Sequence, residues 1–101
     1  MTEDQLEPLR GHFKTLQLAI DTWGHESQLG MVQEEMGELL AALNQHKRGR
    51  NVNVCGEIAD VLVMMGQLAL MFGPDEVLAQ YTAKVARLKS RLDAHAANKG
   101  E

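Results

Sequence analysis

Five carboxylates stand out in this 101-residue chain: Glu34, Glu35 and Glu38, then Glu57 and Asp60 after a spacer of eighteen residues, 39–56. Side chains three apart share a helical face, so Glu35 pairs with Glu38 and Glu57 with Asp60. The second pair lies in the most apolar part of the sequence, where Glu57 precedes Ile58 and Asp60 runs into Val61, Leu62 and Val63. An unpaired charge in such surroundings is costly. If the two acidic segments are antiparallel neighbours, the pairs face one another. Like charges at about 4 Å repel by roughly 4 kcal/mol at an effective dielectric near 20. Protons or a multivalent cation must relieve that repulsion. Oxygen ligands with no nearby His or Cys suit a hard ion, Mg²⁺ or Mn²⁺, rather than Zn²⁺.

Helices must position these groups. Leu6, Leu9, Phe13, Leu16 and Ile20 recur at spacings of three and four and predict a first helix over about residues 4–22. Residues 23–30 hold two glycines and a serine and read as a connection, with Glu26 or Ser27 able to start a second helix over about 27–47. His46, Lys47 and Arg48 suit its carboxyl end, and Gly49 can supply a left-handed cap. A third helix over about 52–72 is apolar nearly all round and must be buried nearly all round, which places it at a subunit interface. Gly73-Pro74 breaks the chain. A fourth helix over about 74–96 then buries Val77, Leu78, Tyr81, Val85, Leu88 and Leu92, with a frayed tail beyond His95. The expected architecture is all-α, a four-helix bundle-like single domain spanning 1–101.

Composition agrees. Four aromatic residues, two prolines and abundant Leu, Ala and Met favour helices over a sandwich. A net charge of -4 gives no electrostatic case for nucleic-acid binding. The apolar run 58–72 is short and contains Asp60 and Gln67, a poor membrane span. The lone Cys55 cannot form an internal disulfide and reads as a buried thiol, and the polar, acidic first residues are unlike a signal peptide. A cytoplasmic protein is expected. An all-helical chain of this size often completes its core with a partner subunit, so a homo-oligomer, dimer or tetramer, is expected too.

The acidic motif resembles that of the MazG-like all-alpha nucleoside triphosphate pyrophosphohydrolases: E-E-x-x-E, a variable spacer, then E-x-x-D. Here it reads Glu34-Glu35-Met36-Gly37-Glu38 and Glu57-Ile58-Ala59-Asp60, with Trp23-Gly24 upstream and Asp60-Val61-Leu62 following the family text. The resemblance covers about residues 20–91. It implies Mg²⁺-dependent cleavage of a (d)NTP between the α and β phosphates, releasing monophosphate and pyrophosphate. It also implies Glu35, Glu38, Glu57 and Asp60 as ligands to two or more ions, Mg²⁺ or Mn²⁺, with Glu34 binding a further ion or orienting water. Glu34 or Glu38 would serve as general base. Tyr81, Lys84, Arg87 and Arg91 form one stripe on the fourth helix and match the family's basic segment, with Lys84 and Arg87 suited to the leaving pyrophosphate. Trp23 offers a stacking surface, which favours a purine deoxynucleotide, although core packing explains it equally. His12, Asn51 and Asn53 are candidates for the base edge, and Lys47, Arg48 and Arg50 read as a helix end. Many relatives carry an asparagine one turn after the aspartate; here Met64 stands there, and Gln67 is a partial substitute.

Three other readings compete. A ferritin-like di-iron bundle needs Glu-x-x-His pairs, and no His follows Glu38 or Glu57 at the third position. Phosphoribosyl-ATP cleavage lies within the same superfamily. A non-catalytic dimerising helical module would use the acidic helix as a docking surface and would tolerate loss of Glu57 or Asp60.

Overall fold

The computed structural model describes residues 11–99, four helices with no strand among them. They are α1 (Phe13–Trp23), α2 (His25–Lys47), α3 (Val54–Phe72) and α4 (Pro74–Lys99). The all-α expectation holds. The part of the first predicted helix before residue 11 lies outside the described residues.

A single residue separates α1 from α2. Gly24 sits at φ 94°, ψ 155°, a conformation open to glycine at little steric cost. Its N–H donates to Ile20 O at 2.8 Å, and its carbonyl accepts from Gln28 N–H at 3.1 Å. One helix therefore closes and the next opens on the same residue. The expected connection over 23–30 is corrected accordingly: α2 begins at His25, and Gly30 lies within it. A mid-helix glycine costs only about 1 kcal/mol relative to Ala, which packing over 23 residues readily offsets. At the other end of α2 the basic residues His46 and Lys47 occupy the last turn, and Gly49 adopts φ 75°, as its sequence predicts.

Residues 48–53 return the chain so that α2 and α3 pack antiparallel, and α1 lies across both. Asn53 caps α3, its Oδ1 accepting from Gly56 N–H at 3.0 Å. A Cβ at residue 56 would collide with the Asn53 carboxamide, so the glycine makes this cap possible. Gly73, at φ 117°, ends α3 by donating to Ala69 O at 2.8 Å. The fourth helix starts immediately after it and remains helical through Lys99, past the expected fraying point at His95.

The core of one chain is thin. Among the described residues only Leu16, Ile20, Val32 and Ala42 are buried hydrophobics, and none is sealed completely. The radius of gyration is 17.1 Å, against about 13 Å for a compact chain of this length. The reason is α4, which touches α3 only sparsely and leads away from the other helices. Its stripe Val77, Tyr81, Val85, Leu88 and Leu92 was expected to be buried; all five are exposed, and only Leu78 is half-buried. The stripe has the right period but no partner among the described residues. Leu62 (62% exposed) and Phe72 (70%) leave α3 similarly uncovered. Cys55, expected to be a buried thiol, is exposed in the first turn of α3. By length and composition alone α3 would suffice to cross a membrane, at 19 residues and mean hydropathy 1.6. Its buried Gln67 and the carboxylates turned toward α2 are those of a bundle helix.

Replacing Asn53 by Ala removes the cap and should lower unfolding stability by about 1 kcal/mol, read from the urea midpoint with the slope unchanged.

Candidate functional site

The antiparallel pairing of α2 and α3 brings acidic residues from both helices together. Carboxylate oxygens of Glu35, Glu57 and Asp60 lie within 4.8 Å of one another. Glu35 comes from the middle of α2, whereas Glu57 and Asp60 are one turn apart near the start of α3. Glu35 and Glu57 are half-buried and each holds one oxygen, Oε2, shut from solvent with no hydrogen-bond partner. Asp60 is exposed. Glu38 stands outside this trio, but its carboxyl lies against that of Glu35, one turn along α2. Glu34 is exposed on α2, beside the cluster in sequence.

Burial pushes the Glu35 carboxyl above its ordinary range, and the negative charges of Glu38, Asp60 and Glu57 push it further. The cluster is thus a concentration of anions with no Lys or Arg paired to it: among the described residues the one salt bridge is Lys89 to Asp93, on α4. A hard divalent cation fits this arrangement. All the donors are oxygens, three converge from two helices, and two of the buried oxygens lack any other partner.

Beside the cluster, toward the amino end of α2 and the carboxyl end of α3, lies an open cavity of about 690 Å³ between α1, α2 and α3. Met31 and Met64 line it one turn from Glu35 and Asp60, and Gln28 and Gln67 line it a further turn away. Both glutamines are buried, at 4% and 3% exposure. Trp23, 65% exposed at the end of α1, forms part of the wall rather than part of the core. The apolar lining with a few polar groups, next to a charged cluster, is the general form of a small-molecule site.

The basic stripe lies elsewhere. Tyr81, Lys84, Arg87 and Arg91 are all exposed on α4, and Lys84 and Arg87 border a shallow pocket of about 240 Å³ with Gln80 and Ala83 of the same helix. Within one chain they do not line the carboxylate cluster. Among the weaker candidates, Asn53 is engaged as a helix cap, while His12 and Asn51 are exposed and outside the cavity lining. Lys47, Arg48 and Arg50 sit at and beyond the α2 terminus as expected. The burial of Gln28 was not foreseen; Gln67 carried a visible signal, a polar residue in an otherwise apolar run.

Family comparison bears on the same stretch. The profile of the MazG nucleotide pyrophosphohydrolase domain matches residues 23–91, two thirds of the chain, including all five carboxylates and most of the cavity wall. The chain belongs to the MazG family. Comparisons with curated proteins and with solved structures give no match. MazG domains are all-alpha nucleotide pyrophosphohydrolases and generally metal-dependent, which agrees with the helices and the acidic cluster found here.

A carboxyl with a raised pKa holds its proton more tightly in the folded chain than in the unfolded one. In the metal-free MazG fold the resulting penalty is absent at low pH and develops as pH rises from about the ordinary value of 4.5 through the raised one. Metal-free thermal melts should therefore lose stability over that window less steeply in Glu35→Gln than in the native chain. Near neutral pH, millimolar Mg²⁺ or Mn²⁺ should raise the native melting temperature and have much less effect on that variant.

Proposed function

We propose that this MazG domain is a Mg²⁺-dependent nucleoside triphosphate pyrophosphohydrolase that converts a (d)NTP to its monophosphate and pyrophosphate in the cytoplasmic nucleotide pool. The observation that carries the reading is the convergence of Glu35, Glu57 and Asp60 oxygens with two buried, unpartnered carboxylate oxygens among them. With Glu38 they would hold two or more ions, Mg²⁺ or alternatively Mn²⁺. Ions held by these residues would supply positive charge to offset that of the triphosphate and Lewis acidity at the phosphoryl group.

The chain's own groups do the rest. Glu34 or Glu38 accepts a proton as water adds to the α phosphorus. The bond from that phosphorus to the αβ-bridging oxygen breaks, and pyrophosphate leaves with the bonding electrons. Lys84 and Arg87, with Arg91 and Tyr81 on the same stripe, receive the departing charge. Because they lie away from the carboxylates in a single chain, that role depends on assembly with a further copy.

A homo-oligomer through α3 is part of the same proposal. The uncovered Leu62 and Phe72 and the exposed α4 stripe support it, since so many exposed large apolar side chains are more readily explained by a covering partner than by a monomer. No membrane or nucleic-acid partner is invoked.

A panel of the eight common nucleoside triphosphates plus phosphoribosyl-ATP, scored for pyrophosphate and monophosphate with Mg²⁺ or Mn²⁺, tests the activity. At least one nucleoside triphosphate should be cleaved at the αβ bridge; cleavage of phosphoribosyl-ATP alone would replace this substrate assignment. Glu57→Ala and Asp60→Ala should lower the rate by about 100-fold or more while retaining the helical fold. Unchanged activity in both would leave the acidic helix a docking surface. In light scattering the native chain should exceed monomer mass, and Leu62→Glu should shift it toward monomer.

A further inference from the structure

The Gln67 carboxamide presents a problem that the carboxylate chemistry does not solve. The residue is 3% exposed, lines the 690 Å³ cavity, and its Oε1 is shut from solvent with no hydrogen-bond partner. An unsatisfied buried carbonyl weakens a fold, and an apolar residue of similar shape would avoid the penalty. Its neighbours on α3 are Leu68, Ala69 and Leu70, so an apolar residue at 67 would continue the local pattern. Gln28, also buried, lines the same cavity from α2. Two buried carboxamides, from two helices, border an otherwise largely apolar space.

The order of groups along the α2–α3 pair gives this cavity a shape in chemical terms. Beyond one end, outside the lining itself, stand the carboxylates Glu35 and Asp60. One turn on are Met31 and Met64, and a further turn on are Gln28 and Gln67. The separation from the acid layer to the amide layer is seven residues, about 10 Å at 1.5 Å per residue. That is the reach of a nucleotide from its 5′ phosphate to the far edge of its base. The anionic, mainly apolar and hydrogen-bonding layers follow the order of phosphate, sugar and base. Trp23, exposed at the cavity wall, adds an aromatic face.

We propose that Gln67 is the specificity-determining residue of this site, its carboxamide turning so that the carbonyl enters the cavity and accepts a hydrogen bond from an N–H on the edge of a nucleobase, with Gln28 as the second amide bordering that edge. The assignment rests on the nucleotide-hydrolase reading for the identity of the ligand. The hydrogen bond is independent of metal and of phosphate, so it can be tested without turnover. Trp23 is the sole tryptophan of the chain, which makes its fluorescence a reporter of this one cavity.

The experiment titrates the four common deoxynucleosides into metal-free protein and follows Trp23 emission, in the native chain and in Gln67→Met. At least one deoxynucleoside should change the native emission saturably. Gln67→Met should bind it about tenfold or more weakly, and the form of that nucleoside methylated at every N–H of that edge (N3-methyl for thymidine, N,N-dimethyl for an exocyclic amine), which lacks the donor, should bind the native chain equally weakly. Gln67→Met should melt at the native temperature or above it, because it removes an unpartnered carbonyl. With triphosphates and Mg²⁺ its loss should appear in KM rather than kcat, and discrimination among bases should flatten.

The proposal is overturned if no deoxynucleoside perturbs Trp23, if Gln67→Met binds and discriminates as the native chain does, or if that variant loses its fold. The last result would mean that the carboxamide is a structural hydrogen-bonding group. A nucleoside response without hydrolysis of any triphosphate would support the base site and remove the hydrolase reading. Hydrolysis with discrimination unchanged in Gln67→Met would do the reverse.

Discussion

Electrostatic repulsion between two packed helices is the constraint to which the rest of this molecule answers. Glu35 on α2 and Glu57 and Asp60 on α3 are held close by the pairing of the helices that carry them. Left alone they oppose that pairing, and the upward shift of the Glu35 carboxyl is the local measure of the opposition. Hydrophobic contacts elsewhere along the pair must outweigh it. Val32 and Ala42 on α2, with Leu16 and Ile20 on α1, supply the buried apolar surface that keeps the carboxylates together. Stability is thus invested away from the acids, and strain is concentrated at them, as in many sites prepared for a charged ligand.

Much of this was legible in the sequence because acidic residues in an apolar run violate the pattern around them. Glu57 and Asp60 ahead of Val61-Leu62-Val63 cannot be an ordinary solvated face, and the structure turns both toward α2. The helix ends at Gly49 and Gly73 were equally plain. The α1–α2 junction was not. Gly24, Ser27 and Gly30 together look like a loop, yet only Gly24 needs a glycine conformation, and the others lie within a helix long enough to absorb them.

Burial was the least readable property. The period of Val77, Tyr81, Val85, Leu88 and Leu92 correctly marks one face of a helix, but a period does not say which surface covers that face. Among the described residues nothing does, so residues expected inside lie outside. The glutamines show the converse. Gln28 reads as a helix-start residue on the page of the sequence, yet it is among the most buried side chains because α1 crosses above it. Local pattern reports which residues share a face, whereas burial is settled by elements distant in the chain.

The one-residue link at Gly24 has a consequence for how this site can vary. Each residue added to a helix turns everything beyond it by about 100° and advances it 1.5 Å. With no slack between Trp23 and His25, an insertion there cannot bulge outward without breaking either the Ile20 carbonyl contact or the Gln28 amide contact that Gly24 makes. The aromatic wall and the acid-bearing helix are therefore geared together, and a change of length should be easier to absorb in the segment 48–52, between the far end of α2 and the Asn53 cap. Divergence in this molecule should proceed by exchanging side chains within a fixed frame on the cavity side and by altering loop length on the opposite side.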